Sequence, residues 1–418
     1  MQNVILKNKP VILKNNDFKT IQVRVVFPFE NSYDNLANMQ LLPNLLGYKN
    51  NTYPTENEFI LARKKLLILY NYVFFSTFGD TACYFFNLSI PKEDILDTNN
   101  IEEQFKFFRD YIYNPYTENG VFSEFDLEKE KKNLILGMDN ALKNIKPYQS
   151  IRLKELIDED GFLTNDIIYH RELIDKVTTK SLYEHYQNVI YNGQPIIYIM
   201  GDVDEEKMNQ LCDKYLYLNK FNNKNIDVDL YHYLKPRKKV QEITEKSTFK
   251  DSAISFVYKV KDFKEDEYVI LNLLRDLLTS LSSRLLDIKL RDENELIYSS
   301  RVISDPYFGL FEITAFIHKD NLEIVKEKIN ELIRDFKNIE LITPLLENIK
   351  DRKRINLLRK LDSKFQILDD FMFDDLGLDD SSEKYYEKVL KVSADDISNF
   401  VDKLVIDTIY FLEEEEHE

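Results

Sequence analysis

The sequence predicts an α+β protein of two homologous domains, each a mainly antiparallel sheet packed against several helices. Three pairs of matching segments carry this reading. Residues 20–28 (TIQVRVVFP) alternate in the strand manner and lead across a turn into 35–46, where Leu36, Met39, Leu42, Leu45 and Leu46 recur at helical spacing. Residues 252–260 (SAISFVYKV), followed by 266–278 with Val269, Leu273, Leu274, Leu277 and Leu278, repeat that order. Helical segments at 56–67 and 282–291 each lead into a strand pair, 70–78 with 82–90 and 298–303 with 309–317. Finally, 176–182 running on to a buried strand at 195–201 (PIIYIMG) parallels 391–397 running on to 407–412 (DTIYFL), each with a hydroxyl residue to cap its helix.

Long helices at 101–113, 123–142, 322–336 and 343–361 complete the two halves. The stretch 220–238 is rich in Asn, Lys and Asp and is closed by Pro236, which makes it the best linker. The expected domains are therefore 1–225 and 235–418, with the boundary near 230. A chain of 418 residues suits two cores of roughly 200 residues each better than one.

Composition removes several function classes. Nine glycines in the whole chain leave no Gly-x-Gly-x-x-Gly and no P-loop, so nucleotide enzymes of those types are excluded. A net charge of −17 repels phosphate backbones, and no Lys/Arg stripe offsets it, so nucleic acid is not an expected partner. No run of 18 apolar residues and no leader at 1–13 speak for a membrane or a secretory route, and the expected location is the cytoplasm. Cys83 and Cys212 are isolated and read as buried, reduced thiols. The acidic run 413–418 reads as a solvated tail. His170, His185, His232, His318 and His417 include no pair at helical ligand spacing, and each reads as a surface or edge residue.

The order of elements and several short motifs resemble the pitrilysin or insulinase-type peptidases, the inverzincins, and especially their branch of two-domain chains that assemble in pairs. The motifs are KNNTYPT at 49–55, the strand-ending Gly201-Asp202, and Ser282-Ser-Arg-Leu285 running on to Tyr298. The resemblance covers nearly the whole chain. Catalytic members carry His-x-x-Glu-His on a helix, where two imidazoles and a distant Glu bind zinc and the motif Glu activates water. Counting back from Tyr53-Pro54, the equivalent positions here are Gln40, Pro43 and Asn44, and the distant Glu falls in 133–139, where Gly137-Met138 stand. Two amides and a proline can neither hold zinc firmly nor take a proton, so no cofactor is expected in this chain.

What the resemblance leaves is Arg291 and Tyr298. In the family, an Arg and a Tyr at this spacing come from the C-terminal half and reach the zinc site. The Arg can grip a peptide carbonyl, and the Tyr can donate to the oxyanion. Read without the family, Arg291 pairs with Asp292 or Glu295 and Tyr298 is an ordinary strand aromatic. Arg63 and Tyr70 share the spacing in the other half and read as a relic of duplication, while Arg284 reads as a helix-surface ion-pair residue. The family's glycines before Ser-Ser-Arg-Leu are missing from 277–281.

The resemblance implies the non-catalytic subunit of a heterodimeric zinc metallopeptidase acting on short or unfolded peptides. A homologous catalytic subunit bearing His-x-x-Glu-His would supply the zinc, and Arg291 and Tyr298 would act in trans. The alternative is a structural or peptide-binding scaffold of the same fold with no part in chemistry, or, further off, a homodimeric peptide chaperone.

Overall fold

A computed structural model of the chain describes residues 2–4, 7–93, 100–218, 226–281 and 284–415, with the backbone alone at 2–4 and 226–228. The strands are β1 (Gln2–Val4), β2 (Val11–Lys14), β3 (Thr20–Glu30), β4 (Tyr70–Phe78), β5 (Thr81–Pro91), β6 (Ile196–Gly201), β7 (Ile226–Val228), β8 (Gln241–Lys246), β9 (Ser252–Val260), β10 (Ser299–Asp305), β11 (Leu310–Ile317) and β12 (Leu404–Glu413). In the first half, α1 (Leu36–Leu46), α2 (Glu56–Lys65), α3 (Ile101–Tyr113), α4 (Glu124–Leu142) and α5 (Ile145–Ile157) follow in order.

The chain divides into two compact units. One comprises Met1–Asn140, Asn165–Leu230 and Lys364–Asp379; the other comprises Ala141–Thr164, Tyr231–Ser363 and Asp380–Glu418. Two segments thus lie in the unit formed by the other half of the sequence: α5, and the helix Lys364–Asp375. Of the stretch read as a linker, residues 220–225 lie outside the described residues, and the remainder is tied into the two units. Within the first unit β7 pairs with β1, while in the second His232 and Leu234 donate their backbone N–H groups to Tyr307 and Phe308 at 2.8 and 3.0 Å.

The first unit's sheet runs β2-β6-β3-β5-β4 and the second's runs β10-β11-β9-β12-β8, so the duplication reproduces strand order element for element. In each, one pair is parallel (β2 with β6, β8 with β12) and the rest are antiparallel. β4 and β10 occupy the same edge, each paired on one side among the described residues.

Both faces of the central strands are buried, but they bury different chemistry. In β3 the residues Ile21, Val23, Val25, Phe27 and Phe29 enter the helical core, each such side chain contributing about 1.5–3 kcal/mol. The opposite face carries a polar inlay. Gln22 donates to Ser89 at 2.7 Å, Arg24 donates to Asn87 at 2.6 Å and pairs with Asp369, and all of this lies under the helix Lys364–Asp375. The second unit repeats the device. Ile254, Phe256 and Tyr258 face its core, while Ser255 on the other face bonds to the fully buried Gln149 of α5, whose carbonyl oxygen accepts from Arg301 at 2.7 Å. A polar group removed from water must be paired, which ties each covering helix to one register on its sheet.

The acidic run does not begin as a solvated tail. Glu413 closes β12, and Glu414 is buried, its N–H donating to Ser252 Oγ at 3.0 Å; residues 416–418, with His417, lie outside the described residues.

Candidate functional site

The positions that the resemblance equates with the metal motif lie on α1 in the first unit. This helix is held by Leu36, Met39, Leu41, Leu42, Leu45 and Leu46, all buried. Gln40 is half-buried, Pro43 is buried and Asn44 is exposed. Pro43 lies inside the helix and offers no N–H to the Met39 carbonyl, a substitution that costs about 3 kcal/mol in an ordinary helix interior. The KNNTYPT motif has a structural role beside it. Asn50 and Tyr53 exchange backbone hydrogen bonds at 3.0 and 3.1 Å, and Thr55 caps α2 in a capping box with Glu58.

These residues do not fit a zinc ion. None of the three is an imidazole or a carboxylate, and among the described residues no group of three His, Cys, Asp or Glu side chains could hold a metal. At the position expected for the distant ligand, Met138 is buried, whereas a Cβ added at Gly137 would meet nothing within 4 Å, so packing does not dictate the glycine. What α1 does border is a cavity of about 260 Å³ between α1, α2, α3 and the edge strand β4.

Arg291 and Tyr298 lie in the second unit. A short helix, Leu285–Asp287, continues as a π-helical turn over Ile288–Asp292, whose last turn carries Arg291. Residues 282 and 283 of the Ser-Ser-Arg-Leu motif lie outside the described residues. The Arg291 guanidinium pairs with Asp287 and Asp292, both at 3.3 Å, and Arg284 shares both acids at 3.7 and 3.2 Å. Asp287, one turn back, is a partner the sequence reading did not weigh. Tyr298 immediately precedes β10; its N–H donates to the Phe316 carbonyl at 2.8 Å, and the residue is 58% exposed. Arg63 and Tyr70 do not form a matching pair. Arg63 lines the α1 cavity, whereas Tyr70 bonds to Gln22 and packs on Phe365, on the outer face.

His185 corrects the surface reading of the histidines. It is 8% exposed, within 3.0 Å of the Tyr84 hydroxyl, and burial lowers its pKa to about 4. The helix that carries it needs a filled inner face, and an imidazole bonded to a buried phenol fills one. Cys83 and Cys212 are free and buried, with burial pushing the Cys83 thiol up to about 12. Sequence reasoning missed the cavity, because its lining comes from four elements far apart in the chain.

At the three positions of α1 that the resemblance equates with a metal motif, this duplicated α+β chain carries Gln, Pro and Asn, which cannot bind a metal there. A family model described as the peptidase M16 inactive domain matches residues 176–352. Across 421 residues the chain is 22% identical to the probable inactive metalloprotease YmfF of Bacillus subtilis (strain 168), covering 96% of this chain and 94% of that one. Its fold is similar to that of a conserved protein from Enterococcus faecalis V583, with a TM-score of 0.84, 18% identity and 100% of both chains covered. It is also similar to a protease from Helicobacter pylori, with a TM-score of 0.75, 16% identity and 99% of both chains covered. Similarity to the peptidase M16 inactive domain thus extends over residues 176–352, and the two-domain fold is shared over the full chain. No helix among the described residues is long and apolar enough to cross a membrane.

Proposed function

We propose that this chain is the non-catalytic subunit of a heterodimeric zinc metallopeptidase acting on short or unfolded peptides. Its two homologous domains, 1–225 and 235–418, pair with a homologous chain that bears His-x-x-Glu-His and the metal. Arg291 grips a main-chain carbonyl of the peptide, and Tyr298 donates its O–H to the oxyanion as the carbonyl is attacked. The observation that carries the reading is the exposure of this pair on a chain that lacks the metal residues: Tyr298 is 58% exposed, and the Arg291 side chain 43%. Exposed ion pairs such as those of Arg291 are worth about 0–1 kcal/mol, so the guanidinium can exchange an aspartate for a peptide carbonyl at little cost. The open edges of β4 and β10 offer backbone groups to an extended peptide. Free, buried thiols suit a reducing compartment, and we place the pair in the cytoplasm.

The test is co-purification with a neighbouring gene product of similar length that contains His-x-x-Glu-His, followed by a peptide-hydrolysis assay with zinc. Arg291→Ala should abolish hydrolysis without dissociating the pair, and Tyr298→Phe should lower kcat by about 10²–10³. Full activity in both variants would refute the role in trans. It would favour the second reading, a scaffold with no part in chemistry, which the pairing of Arg291 with Asp287 and Asp292 supports.

A further inference from the structure

Four polar groups that find no partner within the described residues converge on the α1 cavity. The Arg63 Nε, the Tyr111 hydroxyl and both amide atoms of Asn71 are buried without a hydrogen-bond partner, and all three residues line the cavity. Asn71 is 9% exposed and Tyr111 1%. Interiors pair nearly all such groups, because each one left unpaired costs about 1–3 kcal/mol, so four in one cavity form a set that needs an explanation.

The fold aims each of them. Arg63 ends the well-capped α2. Asn71 projects to the same side of β4 as Val73 and Phe75, which pack on the core, because strand residues alternate in direction. The Tyr111 ring is fixed edge-on to Phe86, with centroids 5.8 Å apart, and tilted against Phe59 at 5.9 Å. Burial holds the Tyr111 phenol far above its ordinary range, while the Asn71 amide, near enough to act on the phenol as a hydrogen-bonding neighbour but outside the geometry of a formed bond, and the Arg63 charge pull the other way, so the three groups face one another.

The groups offer three donors, Arg63 Nε–H, Tyr111 O–H and the Asn71 amide N–H, and one acceptor, the Asn71 amide oxygen. A carboxylate takes several donors and pairs with a guanidinium, and an adjacent amide N–H would satisfy the acceptor. The last residue of a peptide carries those two functions side by side. Pro43, Phe59, Ile60 and Val73 supply apolar wall for its side chain, and Glu56 at the exposed rim adds only a screened repulsion. We propose that this cavity binds the C-terminal residue of a peptide, its carboxylate held by Arg63, Tyr111 and Asn71. The site uses neither Arg291 nor Tyr298 nor a second chain, so it stands or fails apart from the subunit reading.

The test is calorimetric titration of the full chain, at two temperatures, with acetyl-Gly-Gly-Leu and with the same peptide amidated at its C-terminus. The free acid should bind saturably at one site, and the amide at least about tenfold more weakly. Tyr111→Phe and Arg63→Met should bring the acid towards the level of the amide. No saturable binding of either peptide, as for a cavity that holds only water, would overturn the proposal. So would equal affinity for acid and amide, or acid binding unchanged in both variants. The acid and amide comparison on the unmodified chain does not depend on any variant folding.

Discussion

Replacing one buried phenol by phenylalanine has opposite expected signs at two places in the first unit. Tyr111 and Tyr186 are each 1% exposed. The Tyr186 hydroxyl donates to the Ile112 carbonyl at 3.0 Å, whereas the Tyr111 hydroxyl has no partner within the described residues. Tyr→Phe leaves the ring contacts in place, so the change in stability reports on the hydroxyl alone. At Tyr186 the loss is that of an ordinary internal hydrogen bond plus an orphaned carbonyl, about 1 kcal/mol or somewhat more. At Tyr111 a desolvated, unpaired hydroxyl is removed, and the free protein should gain about 1 kcal/mol. In a unit of roughly 220 residues, 1 kcal/mol moves Tm by about 2–4 °C. Thermal unfolding followed by far-ultraviolet circular dichroism should therefore rise with Tyr111→Phe and fall with Tyr186→Phe. Adding acetyl-Gly-Gly-Leu should raise Tm of the unmodified chain more than that of Tyr111→Phe, since a ligand stabilises in proportion to its affinity. If Tyr111→Phe lowers Tm as much as Tyr186→Phe, the hydroxyl is satisfied inside the protein and the cavity has lost its best argument.

Two further outcomes test the polar interior. Asp407 is fully buried between Lys259 at 3.3 Å and Arg237 at 2.8 Å, so Asp407→Leu should cost about 3–5 kcal/mol in urea unfolding by leaving the buried Lys259 ammonium only the half-exposed Glu159 at 3.9 Å, and adding Lys259→Met should recover much of it; equal loss in single and double variants would refute the pairing argument. His185 has its pKa lowered by burial from 6.5 to about 4, so the unfolded chain takes up the proton first as pH falls; its contribution is complete above about pH 6.5, declines towards pH 4 and amounts to about 3 kcal/mol, and His185→Phe should flatten the stability curve across that window.

The strand and helix order was legible because period-2 and period-3.6 patterns mark elements that bury one face against a core. Thr20–Glu30, Leu36–Leu46 and Ser252–Val260 all appear within a few residues of where alternation and leucine spacing put them. Capping chemistry was equally local: Thr178 and Ser393 each accept from the backbone three residues on. What pattern could not show is that α5 and the helix Lys364–Asp375 cover the outer face of a sheet built by the other half of the sequence. Their cues are Gln149 and Asp369, polar residues that look solvated until Ser255, Arg301 and Arg24 are seen to meet them. Arg63, Asn71 and Tyr111 were invisible as a group for the same reason.

The duplication places one spacing at equivalent points of the two units. Arg63 to Tyr70 and Arg291 to Tyr298 each run from the end of a helical segment to the start of the edge strand at the same place in its sheet. Their surroundings then separate them. In the first unit α2 is a regular ten-residue helix, the described residues offer Arg63 no ion pair, and its Nε lies in a cavity with Asn71 and Tyr111, while Tyr70 is taken up by Gln22 and Phe365 on the outer face. In the second, a three-residue helix and a π-turn bring Asp287 and Asp292 beside Arg291 and hold the guanidinium at the surface, and Tyr298 stays exposed ahead of its strand. Burial without partners suits a small polar ligand; exposure with weak, exchangeable partners suits contact with another chain or its substrate. The Arg and Tyr positions that match by spacing are therefore not redundant copies, and substituting one arginine is not a control for substituting the other.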